Sequence, residues 1–205
     1  MTYDTLASAD TITETAAALQ KRGVDVIVVK DAAEALAKAK ELIPAGASVM
    51  NGSSRTLEEI GFIGYLKEGK HGWNNLHEAV LAQQDPAKQA ALRAASLSSD
   101  FYLGSVHALA QTGEMLVASA SGSQLPHLAF TSPNLVLVVG AQKIVPTLAD
   151  AFARLREYVF PLEDARMKSV GYPGSLLAKI LIMADELPMM GRKVHVILVE
   201  EKLGF

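Results

Sequence analysis

Three apolar, largely β-branched runs constrain this chain more than any other feature: Val24 to Val29, Leu135 to Val139 and Val194 to Val199. A strand with one wet face alternates apolar with polar side chains. A strand covered on both faces does not, and such strands belong to parallel sheets flanked by helices. The segment around the first run supports this reading. Asp10 to Arg22 places Ile12, Ala16 and Leu19 on one helical stripe and stops at Gly23, a residue that readily takes the left-handed cap. After the strand, Asp31 can cap a second helix with Glu34 as its capping-box partner, and Ala32, Leu36, Ala39 and Ile43 share one face. Pro44-Ala45-Gly46 then ends that helix before a second strand, Ala47 to Met50. Strand, helix and strand in this order make a right-handed crossover between parallel strands.

Residues 56 to 97 read as helix in pieces, broken by Gly61, Gly64, Gly69 and Gly72, with Asp85-Pro86 as a helix start. Strands return at Phe101 to Leu103, Ala108 to Gln111 and Glu114 to Ala120. Pro146 opens a helix whose stripe is Leu148, Phe152, Leu155 and Val159. No repeat or linker interrupts the 205 residues, so one α/β domain spanning residues 1 to 205 is expected.

Composition excludes several classes of function. The chain has no Cys, hence no disulfide scaffold, thiolate nucleophile, cysteine zinc site or iron-sulfur cluster on its own thiolates. Lys plus Arg number 19 against 22 Asp plus Glu, a net charge of -3 with no basic block, which argues against nucleic acid as a partner. The opening MTYDTLASADTITE has no signal-peptide pattern, and no apolar run approaches the ~20 residues that span a bilayer. A cytoplasmic protein without a membrane partner is expected.

GxGxxG after a strand, GxxxxGK[ST], HExxH and GxSxG are all missing. The chemistry is therefore sought in polar loops after apolar strands, where open α/β sheets place their ligands. The first loop is Asn51, Gly52, Ser53, Ser54, Arg55 and Thr56. Its glycine turn, hydroxyls, helix-start N–H groups and guanidinium suit an anion, and the same residues suit a plain helix N-cap. The second system contains His107, then Thr112 and Gly113 in a turn, and Ser119 and Ser121 in a Ser/Gly run. His107 is a candidate acid-base group or a half-buried structural residue, and Glu114 a candidate nucleophile or base or a solvated strand residue. His71 and His77, six apart, do not make a one-face metal pair, so no metal site is expected.

The stretch from SVHALAQTGEMLVASASGSQLPHLAF through FPLEDAR resembles the lactate-utilisation domain family, formerly a domain of unknown function, in its stand-alone lactate-utilisation-protein-C-like subgroup. NGSSRTLEEIGF is similar to that family's Ser-x-Thr-Leu-x-x-x-Gly loop, and GRKVHVILVEEKLGF to its closing strand. The resemblance implies a three-layer α/β arrangement with a mostly parallel sheet, similar to the ribose-5-phosphate isomerase, glucosamine-6-phosphate deaminase and CoA-transferase fold. It further implies an accessory or metabolite-binding role linked to oxidation of L-lactate to pyruvate, beside an iron-sulfur redox partner protein. The ligand implied is a small anion of the lactate, pyruvate, sugar phosphate or CoA type, with the cofactor unidentified and homo-oligomerisation left open. Two features depart from the family: there is no Cys-rich cluster region, and Val170-Gly171-Tyr172-Pro173-Gly174-Ser175 and Pro188-Met189-Met190-Gly191 replace the Ser-Gly-Pro-Ser and His-Gly-Pro segments of the three-gene lactate systems. A stand-alone isomerase- or CoA-transferase-like enzyme, with Glu114 or Glu59 and His107 as its candidates, and a ligand-sensing or structural subunit remain as alternatives.

Overall fold

A computed structural model describes residues 3 to 205. Helix α1 (Ala9–Lys21) is capped by Ser8 and leads into β1 (Asp25–Val29). Asp31 caps α2 (Ala32–Leu42) through the Glu34 amide, and β2 (Ser48–Asn51) closes the crossover. Short helices α3 (Arg55–Glu59) and α4 (Phe62–Lys67) follow, then the two-residue strand β3 (Asn74–Asn75) and helices α5 (Leu76–Ala82) and α6 (Pro86–Ala95). The chain re-enters the core as β4 (Phe101–Gly104), turns back through the hairpin β5 (Ala108–Ala110) and β6 (Met115–Ser119), and returns as β7 (Asn134–Gly140). After β8 (Ile144–Val145), α7 (Leu148–Arg154) runs through a π-helical turn, Leu155–Val159, into α8 (Phe160–Ser169). Strands β9 (Lys179–Met183) and β10 (Lys193–Val199) complete the order.

Six strands form an entirely parallel sheet in the order β1-β10-β7-β4-β2-β3. The three non-alternating runs lie side by side in it as β1, β10 and β7; β7 and β10 are covered on both faces, which is why their side chains had to be apolar, whereas the edge strand β1 leaves Asp25 and Val28 exposed. One face packs on α2, α3 and α4 through Ala35, Ala39, Leu57, Phe62, Val136, Val138 and Ile197. The other face meets a composite third layer of α1 and a smaller sheet, ordered β8-β5-β6-β9, through Leu19, Leu109, Val117, Leu137 and Val196. The arrangement is the expected three-layer α/β fold, with α7 and the π-helical turn covering the outer side of the small sheet. Each fully buried Leu, Ile or Val contributes roughly 1.5–3 kcal/mol. Among the described residues no helix is long and apolar enough to cross a membrane.

Candidate functional site at the strand ends

Strands β2, β4 and β7 are neighbours in one parallel sheet, so the segments leaving their carboxyl ends emerge together. From them come Thr56, Ser105 and Lys143. The Lys143 side chain is only 2% exposed, and its ammonium donates to Thr56 Oγ1 at 2.9 Å, Ser105 Oγ at 3.0 Å and the Val106 carbonyl at 3.1 Å. All three partners are neutral oxygens. Burial first, and the charge of Arg154 second, push the Lys143 pKa down to about 7, while Glu59 pulls the other way.

Two further basic side chains share this region. Arg154, on α7 and fully buried, donates to the His107 carbonyl and stands over the Tyr158 ring at 5.2 Å. Burial lowers its pKa to about 10. His107 accepts the Ala118 N–H at Nδ1 (3.1 Å), which leaves the ring proton on Nε2. Desolvation, then Lys143 and Arg154, depress its pKa to about 3, so it is neutral at physiological pH. The strand ends thus hold two buried cations with no carboxylate, among the described residues, in hydrogen-bond contact with either. Such an excess of desolvated positive charge is costly alone and is relieved by an anion.

A segment after β10 covers these groups. Gln142 Nε2 donates to the Leu203 carbonyl at 2.9 Å and the Gly204 carbonyl at 3.3 Å, and Thr56 Oγ1 donates to the Leu203 carbonyl at 3.3 Å. The Gly204 N–H donates to Glu59 Oε2 at 2.6 Å. Gly204 has φ +63°, and a Cβ there would collide with Thr56 Oγ1 and stand 3.3 Å from Lys143 Nζ. Only glycine allows this approach.

The residues singled out in the sequence divide between the two ends of the sheet. Asn51 is buried at the end of β2, with Nδ2 donating to the Gly52 carbonyl and Oδ1 unpartnered among the described residues. Gly52 lies so close to Tyr102 and Gln124 that a Cβ would be 2.8 Å from the Tyr102 hydroxyl and 3.5 Å from Gln124 Oε1. Ser53 is exposed, and Ser54 caps α3 through the Leu57 amide at 3.3 Å. Arg55 is exposed and paired along its own helix with Glu58 at 3.0 Å and Glu59 at 3.2 Å. Ser119 Oγ accepts the Gly122 N–H and Ser121 donates to Ser123, while Gln124 brings this Ser/Gly run against Gly52.

Thr112, Gly113 and Glu114 lie elsewhere. His107 precedes β5 and Ser119 ends β6, so these two share the end of the hairpin near the site, and the turn through Thr112 and Gly113 points to the other end. There Arg22, at the end of α1, donates to the Thr112 carbonyl at 2.6 Å and pairs with Glu114 at 2.7 Å. Thr112 and Gly113 therefore do not face the Asn51–Thr56 loop across a cleft as expected, while the run after Ser119 lies against that loop through Gln124 and Gly52. Lys143, Gln142, Arg154 and Ser105 complete the site without having been among the candidates. A lone lysine inside the apolar stretch Val136 to Val145, just past a strand, was the available signal.

A family model for the LUD domain matches residues 12 to 199. The chain belongs to the LUD domain family. This LUD domain is similar to a crystal structure, at 1.70 Å resolution, of a DUF162 family protein from Deinococcus radiodurans. The TM-score is 0.56 with 15% identity, and the match covers 95% of this chain and 99% of that one. At that identity the likeness establishes the fold alone. No curated protein matches the LUD domain described here.

Proposed function

We propose that this LUD-domain protein binds a small anionic metabolite at the carboxyl ends of β2, β4 and β7, with Lys143 as its charged anchor, as a metabolite-binding component of lactate utilisation. The observation that carries the reading is the Lys143 ammonium: buried, beside buried Arg154, and held among the described residues by Thr56, Ser105 and a backbone carbonyl. The link to L-lactate oxidation is supported by family membership. A bound carboxylate or phosphate stabilises the charged form of Lys143 and gains charge-assisted hydrogen bonds from it. His107 and the Asn51–Thr56 loop border the same end of the sheet and shape the surroundings of the ligand.

Calorimetry and thermal shift against L-lactate, pyruvate, a sugar phosphate and CoA test the reading, because a ligand of the folded state raises its apparent stability. Removing one charge-assisted bond costs roughly 1.5–3 kcal/mol, so Lys143→Met is expected to weaken the bound anion about ten- to a hundredfold, and Ser105→Ala by less. Binding of none of the four anions, or equal binding by Lys143→Met, overturns it. A second reading, a stand-alone isomerase- or CoA-transferase-like enzyme, draws on Glu59, whose charge acts on Lys143. An acyl-CoA-dependent covalent adduct on Glu59 would decide in its favour.

A further inference from the structure

We propose that the Leu203–Gly204 segment is a displaceable occupant of the anion site, and that Glu59 is the latch holding it there. The inference rests on Lys143 being the anion anchor and adds how access to that anchor is controlled. Three donor side chains converge at the strand ends: Gln142, Thr56 and Lys143. The carbonyl oxygens of Leu203 and Gly204 already accept from Gln142 Nε2, and that of Leu203 accepts from Thr56. Two adjacent carbonyl oxygens offered to amide and hydroxyl donors present the acceptor pattern of a carboxylate or phosphate edge, so the segment stands where a ligand oxygen would stand. Gly204 reaches within side-chain contact of the Lys143 ammonium, and Lys143, Thr56 and Gln142 are each at most 2% exposed beneath it. No anion reaches Lys143 with this segment in place.

Its tether is local. The Gly204 N–H donates to the Glu59 carboxylate, a charge-assisted bond, and Glu59 is otherwise held by Arg55 on the exposed side of α3. An arriving anion favours release twice over: it takes the donors of Thr56 and Gln142 from the segment, and it repels the carboxylate that holds Gly204. Leu203 itself is buried against the α2–α4 side of the core, so the movement is a lift of the Gly204 peptide rather than loss of the whole segment.

The test compares Glu59→Ala and Glu59→Gln with the unaltered protein by three readouts: amide hydrogen exchange at Gly204, acetylation of Lys143 by acetic anhydride followed by mass spectrometry, and calorimetry with pyruvate and inorganic phosphate. Glutamine keeps an acceptor for the Gly204 N–H but removes the charge, so an effect of charge on Lys143 appears in both variants and loss of the latch in Glu59→Ala alone. Loss of a bond to a charged group corresponds to about ten- to a hundredfold. Glu59→Ala is expected to accelerate exchange and acetylation by that factor and to tighten binding of the probe anion in the same direction, with Glu59→Gln, which keeps a neutral acceptor, falling between it and the unaltered protein. Acetylation unchanged in Glu59→Ala, or faster acetylation with unchanged affinity, overturns the proposal while leaving the anchor reading intact. Neither anion bound by any form overturns the anchor reading and this proposal with it, whatever the acetylation rates. If Glu59→Ala does not fold, Gly204→Ala, whose Cβ collides with Thr56, frees the segment from the other side and is judged by the same outcomes.

Discussion

Replacing Lys143 by methionine should change how stability depends on pH, and the size of the change follows from burial. In the folded chain Lys143 titrates at about 7, against an ordinary value of 10.5. Between those values the unfolded chain holds a proton that the folded chain has released, so stability increases as pH rises through the window. Below pH ~7 both states are protonated and the full cost of the buried charge is present. Integrated from pH 7 to 9, the difference in proton binding amounts to about 2 kcal/mol gained by the native protein. Lys143→Met has no such group, and whatever it loses by leaving Thr56, Ser105 and the Val106 carbonyl without their donor does not vary with pH. Urea unfolding of both proteins at pH 7, 8 and 9 should therefore give midpoints that diverge steadily, the native protein gaining on the variant. An anion bound at Lys143 should delay the gain to higher pH, since it favours the charged amine. Parallel pH profiles would refute the argument, because they would mean that Lys143 keeps an ordinary pKa and is well solvated.

His107, with a pKa near 3 in the fold, should make the protein lose stability as pH falls from about 6.5 toward 3, at no more than ~1.4 kcal/mol per pH unit; His107→Gln should flatten that acid limb in chemical unfolding. Arg22 ties α1 to the Thr112 carbonyl, the Ala184 carbonyl and Glu114, so Arg22→Ala should cost about 2–3 kcal/mol by urea unfolding. Because this cluster lies away from Lys143, neither Arg22→Ala nor Glu114→Gln should alter anion affinity by calorimetry. Leu198→Ala, in the middle of the large sheet, should lower stability by about 2–5 kcal/mol, read from the same unfolding curves.

The large sheet was legible because burial on two faces leaves a signature in the sequence: Leu135 to Val139 and Val194 to Val199 are buried almost throughout, and Val24 to Val29, on the sheet edge, keeps its apolar character although Asp25 and Val28 are exposed. The Asp31 cap and the Gly23 stop were equally readable, since caps and turns use short-range chemistry, although Glu34 accepts from the Lys30 amide rather than completing the box at Asp31. Strand β9 was not. Its outward Ile180 and Ile182 are more than a third exposed, it lies at the edge of the small sheet beside β6, and the Gly171-Tyr172-Pro173-Gly174 stretch before it reads as loop. At the site, the hydroxyl-rich loop around Thr56 stood out by composition, whereas Lys143 and Arg154 looked like ordinary charges until the fold buried them. Thr112 and Glu114 follow His107 closely in sequence, yet a hairpin of short strands carries them to the opposite end of the sheet. Sequence proximity could not reveal that reversal.

The position of β10 between β1 and β7 bears on how the chain reaches this state. Among the described residues strand β1 pairs with β10 alone, so α1 and β1, made first, wait until β10 has been made before either can join. Strands β2, β4 and β7 can associate earlier, with β7 left as an open edge in the meantime. Pairings this distant close large loops and slow folding, and an apolar, β-branched edge awaiting its neighbour is open to pairing with other chains. Expression at lower temperature or with chaperone assistance should therefore improve yield more than stabilising the finished fold does, and intermediates trapped early in refolding should protect the amides of β4 and β7 before those of β1.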